Sequence, residues 1–199
     1  MPDIEKNGCF SSNRLIIVEF DPTEIPDVIQ IRPSIFEDNR GFFFESFRLQ
    51  LFEKQGLQLD FVQDNHVGSK RGVLRGLHYQ IQQAQGKLVR VVAGKVFDVA
   101  VDLRKSSPTF GQWVGVSLSA DGKEQLWIPP GFAHGYYTLS DWAEVLYKVT
   151  DFYTPEWERT LIWNDPHLAI SWPLSEGKAP ILSDKDARGD TFDQAVCYE

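Results

Sequence analysis

KLVRVVAGKVFDVAVDL, residues 87–103, decides the fold. From Lys95 onward apolar and polar residues alternate. Phe97, Val99, Val101 and Leu103 fall on one face, and Asp98 and Asp102 on the other. A repeat of two belongs to a β-strand, whose side chains point to either side in turn. Ala93-Gly94 separates this strand from an apolar one, KLVRVV. The pattern continues outward in both directions. WVGVSLS (113–119), QLWIP (125–129), GYYTLS (135–140) and EVLYKVTDFY (144–153) follow, while VIQIRP (28–33) and LDFVQDNHV (59–67) precede. IFEDNRGFFFESF (35–47) holds Asp38-Asn39-Arg40-Gly41 between two apolar runs, the signal of a hairpin. Ser46 is placed to cap a short helix over FRLQLFEKQ (47–55), with Gly56 as its stop. Turn residues recur at the roughly 8–12-residue spacing of all-β folds. The expectation is an all-β jelly roll or closed barrel with a few short helices, enclosing a pocket lined by one face of its strands.

Composition bounds what such a domain does. The 199 residues suffice for one domain with a real core. An aromatic content of 13% suits pleated faces. A net charge of −8 argues against nucleic acid as a partner, because that requires a basic surface, but leaves room for one anion in a locally basic pocket. Cys9 and Cys197 make no disulfide framework, so a reducing, cytoplasmic setting is expected. The polar start MPDIEKNGCFSS has no signal-peptide core, and no run of 18 apolar residues exists to span a membrane. Residues 1–24 are weakly patterned and are set apart as an N-terminal extension from a domain over 25–199. LIIVEF (15–20) within it reads as an edge strand or a partner-binding arm.

One strand carries an anomaly. VLRGLHYQ (73–80) is apolar enough to be buried, yet Arg75 and His78 sit inside it. Strict alternation would point these two in opposite directions. Gly76 lies between them, and an isolated glycine in a strand often marks a bulge. A bulge would turn Arg75 and His78 into one cavity. The plainer alternative is a surface ion pair for Arg75 and a satisfied core histidine at 78. Other segments weigh against it. Lys87 opens a strand after a glycine, His134 lies in the Pro/Gly-rich PPGFAHGYY, and Tyr147 shares the face of Val145 and Val149. Gln63 and Asn65 offer amides to carbonyls or hydroxyls. A metal is a poor fit, because neither Gly76 nor Gln80, the neighbours of His78 on its face, is a good ligand. Cations beside imidazoles and a phenol, with little acid, suit proton abstraction next to a carbonyl on a phosphate-bearing substrate.

The chain resembles the dTDP-4-dehydrorhamnose 3,5-epimerase family of cupin-like jelly rolls, or double-stranded β-helices. The resemblance rests on FEDNRGFFFESF, FVQDNH, VLRGLHYQ, AQGKLVRVVAGKVFDVAVDLRKSSPTFGQWVGVSLSA, QLWIPPGFAHGYYTLS, LYKVTDFY, WNDP and LSDKDA, in family order from about Ile25 to Ala187. It implies a cofactor-independent, metal-free isomerase of dTDP-rhamnose biosynthesis that inverts C3 and C5 of a dTDP-linked 4-keto-6-deoxy sugar. By the same resemblance His78 is the base, Asp186 its orienting partner, Tyr147 the acid, and Lys87 the cation at the enolate oxygen, with His134 nearby. Arg40, Glu45, Arg75, Gln63 and Asn65 hold the diphosphate and nucleotide. Glu158 and Lys185 fall at ligand positions, and Tyr153 stacks on the base. Asp165, in WNDP, ranks below Asp186 as the partner of His78. The family also implies a homodimer in which Arg40 and Glu45 act across the interface. The competing expectations are a single-centre epimerase or 3,4-ketoisomerase on a related sugar, a metal-dependent cupin enzyme, and a non-catalytic sugar-nucleotide binder.

Overall fold

A computed structural model describes residues 17–199; Cys9 and the rest of the first sixteen residues lie outside the described part. The strands are β1 (Val18–Pro22), β2 (Ile29–Pro33), β3 (Phe36–Asp38), β4 (Gly41–Phe43), β5 (Gln63–Lys70), β6 (Leu74–Gln80), β7 (Lys87–Ala93), β8 (Lys95–Asp102), β9 (Trp113–Ser119), β10 (Gln125–Ile128), β11 (Phe132–Thr138), β12 (Trp142–Val149) and β13 (Glu158–Thr160). They form a six-stranded sheet, β1-β2-β10-β7-β12-β5, a five-stranded sheet, β13-β6-β11-β8-β9, and the separate hairpin β3-β4. From β5 to β13 the chain passes from one large sheet to the other at every step except the β8-β9 hairpin. This winding is a jelly roll, and every strand pairing in it is antiparallel. β1 lies at the edge of the larger sheet, paired with β2. No helix among the described residues is long and apolar enough to cross a membrane.

The main core lies between the sheets. Val89, Val91, Leu126, Ile128 and Val145 of the larger sheet meet Val96, Ala100, Val114, Leu118 and Tyr136 of the smaller. Strand β8 corrects the simple reading of its alternation. Its more apolar face, Val99 and Val101 with Leu103 beyond, points away from the other sheet and packs with Leu161, Leu168 and Phe192 of the C-terminal segment. The face carrying Asp98 is the one between the sheets, beside Val96 and Ala100. Both faces of this strand are buried, so alternation marks the strand without marking its cavity side. Leu77, Val99, Val101 and Leu103 are fully buried, each worth about 1.5–3 kcal/mol by transfer.

The outer face of the larger sheet is covered by a third cluster, in which Ile31, Leu88 and Trp127 meet Phe52, Phe47 and Phe61. Phe52 lies on α1 (Leu49–Glu53), the one α-helix among the described residues. This helix is shorter than expected and is not capped by Ser46. Arg48 occupies the cap position without a side-chain bond, and the backbone carbonyl of Ser46 instead accepts from Gln125 Nε2 at 2.8 Å. Gly56 follows with φ +78°, the left-handed conformation expected after a helix.

Candidate active site

The anomaly in β6 resolves into a register shift. His78 stands opposite His134, and Arg75 opposite Tyr136, so three steps along β6 match two along β11. The extra residue brings Arg75 and His78 to the same side. Gly76 makes it fit. Its φ is +126°, and a Cβ there would lie 2.5 Å from the Gly135 Cα and 2.8 Å from the His134 carbonyl oxygen. Gly76→Ala is therefore expected to cost about 2–3 kcal/mol, read from urea midpoints, and to lower activity by displacing both flanking side chains. Wild-type stability in that variant would show that the two strands have room to part.

His78 Nε2 lies 2.5 Å from Asp186 Oδ1. The Asp186 side chain is only 4% exposed, against 29% for His78. Burial works against the charged form of Asp186, but hydrogen bonds from His78 and the Ser183 hydroxyl outweigh it and hold the carboxyl below its ordinary range. An ionised carboxylate only accepts, so His78 Nε2 donates the proton of this bond, and in the neutral tautomer that leaves the lone pair on Nδ1. Asp165, the lower-ranked partner, is buried elsewhere and accepts the backbone N–H groups of His167, Leu168 and Phe192. Its work is to pin the C-terminal segment.

Lys87 begins β7 and faces the cavity in register with Val149 and Ile128. Its Nζ donates to the His78 carbonyl at 3.2 Å, spanning from one sheet to the other. Burial pushes its ammonium down to about 8, with Asp98 and Glu158 pulling the other way. Asp98 is fully buried. Both its oxygens accept from His134 Nε2, at 2.9 and 3.0 Å. Burial lowers the His134 pKa, so that ring is neutral at neutral pH despite its carboxylate partner. Asp98 is a buried acid in a site expected to hold little acid. Its signal was the small face it shares with Val96 and Ala100, narrow enough to let another sheet approach.

Tyr147 projects from β12 on the opposite wall, packed against the main core between its neighbours Val145 and Val149. Burial raises its pKa, so the phenol keeps its proton. Arg75 closes one end. Its Nε donates to Ser69 Oγ at 2.9 Å and one terminal nitrogen to the Gly68 carbonyl at 3.3 Å. No carboxylate pairs with Arg75 among the described residues, which leaves its fork open to an anion.

The rim is continuous. Gln63 Nε2 donates to Asn65 Oδ1 at 2.9 Å, and Gln63 Oε1 accepts from the Tyr153 backbone N–H at 3.2 Å. The Tyr153 hydroxyl donates to Glu158 at 2.8 Å, and Glu158 pairs with Lys185 at 2.5 Å, one residue from Asp186. Two expected ligands stay outside this group. Arg40 sits at the tip of the exposed β3-β4 hairpin, engaged by Asp38. Glu45 pairs with Arg48 beside Ser46, which is bonded to the outer side of the larger sheet. A single chain does not bring either to His78, because the hairpin pairs with neither large sheet.

The site sets an oriented imidazole on one sheet and a protonated phenol on the other, with a buried ammonium reaching from the second sheet to the His78 carbonyl. This suits proton removal beside a carbonyl and return from the other side. The family model described as dTDP-4-dehydrorhamnose 3,5-epimerase matches residues 22–194. The dTDP-4-dehydrorhamnose 3,5-epimerase of Pseudomonas aeruginosa is 62% identical over 175 residues, covering 87% of this chain and 96% of that one. The crystal structure of dTDP-6-deoxy-D-glucose-3,5-epimerase from Legionella pneumophila, in complex with dTDP-4-keto-L-rhamnose, is 53% identical with a TM-score of 0.87, covering 90% of this chain and 95% of the other. A 3'-monoepimerase from Streptomyces bikiniensis in complex with dTDP-quinovose is 35% identical with a TM-score of 0.80, covering 86% and 87%.

Proposed function

The chain belongs to the dTDP-4-dehydrorhamnose 3,5-epimerase family, and from that premise we propose how its own residues carry out the reaction. It is an isomerase of dTDP-rhamnose biosynthesis. It inverts C3 and C5 of dTDP-4-dehydro-6-deoxy-D-glucose and yields dTDP-4-dehydro-L-rhamnose. Both carbons flank the C4 ketone, so each C–H bond breaks with its electron pair moving into an enolate. His78 Nδ1 takes the proton, and Asp186 steadies the imidazolium that forms. The Lys87 ammonium faces the growing charge on the C4 oxygen. Tyr147 gives a proton to the opposite ring face, and the phenolate and imidazolium then reset through solvent. No electron leaves or enters, and the reading calls for no cofactor. The observation that carries it is the His78–Asp186 hydrogen bond, with the buried Lys87 ammonium held 3.2 Å from the His78 carbonyl.

Arg75, Gln63 and Asn65 bind the diphosphate and nucleotide in this reading, Tyr153 stacks on the base, and Glu158 and Lys185 line the same rim. His134 stays neutral and positions Asp98 beside Lys87. Arg40 and Glu45 act in the pocket of a second copy, as a homodimer; the support is a hairpin with Phe42 and Phe43 exposed at 58% and 64% and unpaired with either sheet. The boundary between an extension, 1–24, and the catalytic domain, 25–199, belongs to the same proposal. So does a cytoplasmic location, drawn from a sequence whose two cysteines make no disulfide framework.

The direct test is proton NMR with dTDP-4-keto-6-deoxyglucose in deuterated water. Deuterium at both C3 and C5 of inverted product is expected. Label at one centre alone would make the chain a single-centre epimerase, the activity of the Streptomyces relative.

Two further outcomes follow. Arg75→Ala is expected to weaken dTDP binding by roughly 10- to 100-fold, the scale of a lost charge-assisted pair, with a smaller change in kcat; an unchanged Kd would make Arg75 structural. The pH profile is set by Lys87. The ammonium is intact below its pKa of about 8 and is lost as pH rises through it, so kcat is expected to decline on that alkaline side. Asp98 favours the ammonium, so Asp98→Asn is expected to move the decline to lower pH. A profile that stays in place would separate Lys87 from catalysis.

A further inference from the structure

The β6–β7 connection reads QIQQAQG (80–86), and three of its glutamines face one short stretch of chain, residues 150–154 beyond β12. Gln80 is only 3% exposed and uses its whole amide. Its Nε2 donates to the carbonyls of Gln83 at 2.9 Å and Phe152 at 3.2 Å, and its Oε1 accepts from the Thr154 N–H at 2.7 Å. Gln83 Oε1 accepts from the Thr154 hydroxyl at 2.5 Å, and Gln85 Nε2 donates to the Asp151 carbonyl at 2.9 Å. The Gly86 N–H meets the Thr150 hydroxyl at 2.8 Å.

Tyr153 stands in the middle of this stretch and is 49% exposed. Its hydroxyl bonds Glu158 and its N–H bonds Gln63, so neither bond comes from a packed core. Both flanking residues are tied to one buried amide, that of Gln80. An exposed loop of this kind is otherwise costly to order.

We propose that Gln80, with Gln83 and Gln85, is a positioning clasp that presets Tyr153 for the nucleotide and takes no part in proton transfer. The proposal rests on the reading that Tyr153 stacks on the base. Gln80 lies two residues from His78 on β6, so one strand fixes both the base that handles the sugar and the wall that meets the nucleotide. Preorganisation of this kind shows in affinity, because the ordering cost is met before the ligand arrives.

The test uses Gln80→Met, the more exposed Gln85→Met, Tyr153→Ala and the double variant Gln85→Met/Tyr153→Ala. Each is measured for the Kd of dTDP and for KM and kcat with the nucleotide sugar. The glutamine variants are expected to raise Kd and KM together by roughly tenfold, the scale of one or two lost hydrogen bonds, with a much smaller fall in kcat. In the Tyr153→Ala background the Gln85 effect is expected to vanish. A Gln85 effect that persists undiminished there, or a fall in kcat at constant KM, overturns the clasp. If Tyr153→Ala weakens dTDP but neither glutamine variant does, the clasp alone fails. If Tyr153→Ala leaves dTDP affinity unchanged, the stacking reading fails and the clasp falls with it. Because Gln85→Met spares the buried amide, a poorly folding Gln80 variant does not shelter the proposal.

Discussion

His78→Ala is expected to reduce turnover by roughly 100- to 10,000-fold, the contribution of a well-placed general base, while dTDP binding changes little. The separation follows from the geometry. In the proposed reading Arg75 and the Gln63–Tyr153 rim hold the nucleotide end, and none of them bonds the imidazole. The variant also leaves the Asp186 carboxylate buried without its ring partner, a costly state. His78→Asn is the companion, since its amide can still donate in that direction. Both variants are expected to bind dTDP by calorimetry and to lose deuterium exchange at C3 and C5. Exchange at the wild-type rate in either would mean that the proton leaves to another group.

Tyr147→Phe is expected to separate two events that occur together in the wild type. The base and the ammonium remain, so solvent deuterium still enters at C3 or C5 through His78. Return from the opposite face is lost, and inverted product is expected to fall by a similar factor of roughly 100 to 10,000. Burial already holds the phenol in its protonated form, and phenylalanine keeps its packing against Val145 and Val149, so folding is expected to change little. Inversion of both centres at the normal rate would remove Tyr147 from the mechanism.

The fold was legible because alternation is local. KVFDVAVDL, WVGVSLS and EVLYKVTDFY each declare a strand; β8 and β9 lie within the first two, and β12 overlaps the third, starting two residues earlier at Trp142 and ending at Val149. Which face of a strand meets the cavity is a property of its neighbours. Asp98 was passed over for that reason, since the C-terminal segment covers the more apolar face of β8 and leaves the aspartate inside. Gly76 was legible, because a lone glycine between an arginine and a histidine has few other uses in a strand. Asp186 was not, because nothing in LSDKDARGD distinguishes it from a solvated tail; the family resemblance alone named it. Arg40 and Glu45 came from the same resemblance, and one chain by itself gives them no place at His78. The glutamines of QIQQAQG looked like an ordinary polar connection, because their partners are mostly backbone atoms some 66 to 74 residues away.

The pairing of His78 with Asp186 also sets an order of assembly in time. The two residues are separated by 108 positions. The segment bearing Asp186 is laid against β6 through Ile181, whose carbonyl accepts from the Leu74 N–H and whose N–H reaches the Gly72 carbonyl. As the chain emerges during synthesis, both sheets are available to form before this segment exists. The pocket can then have its shape while its base still lacks the carboxylate that orients it. A nascent chain halted before residue 186 has walls but no aligned imidazole at position 78, so the pocket is complete only once this segment has been made.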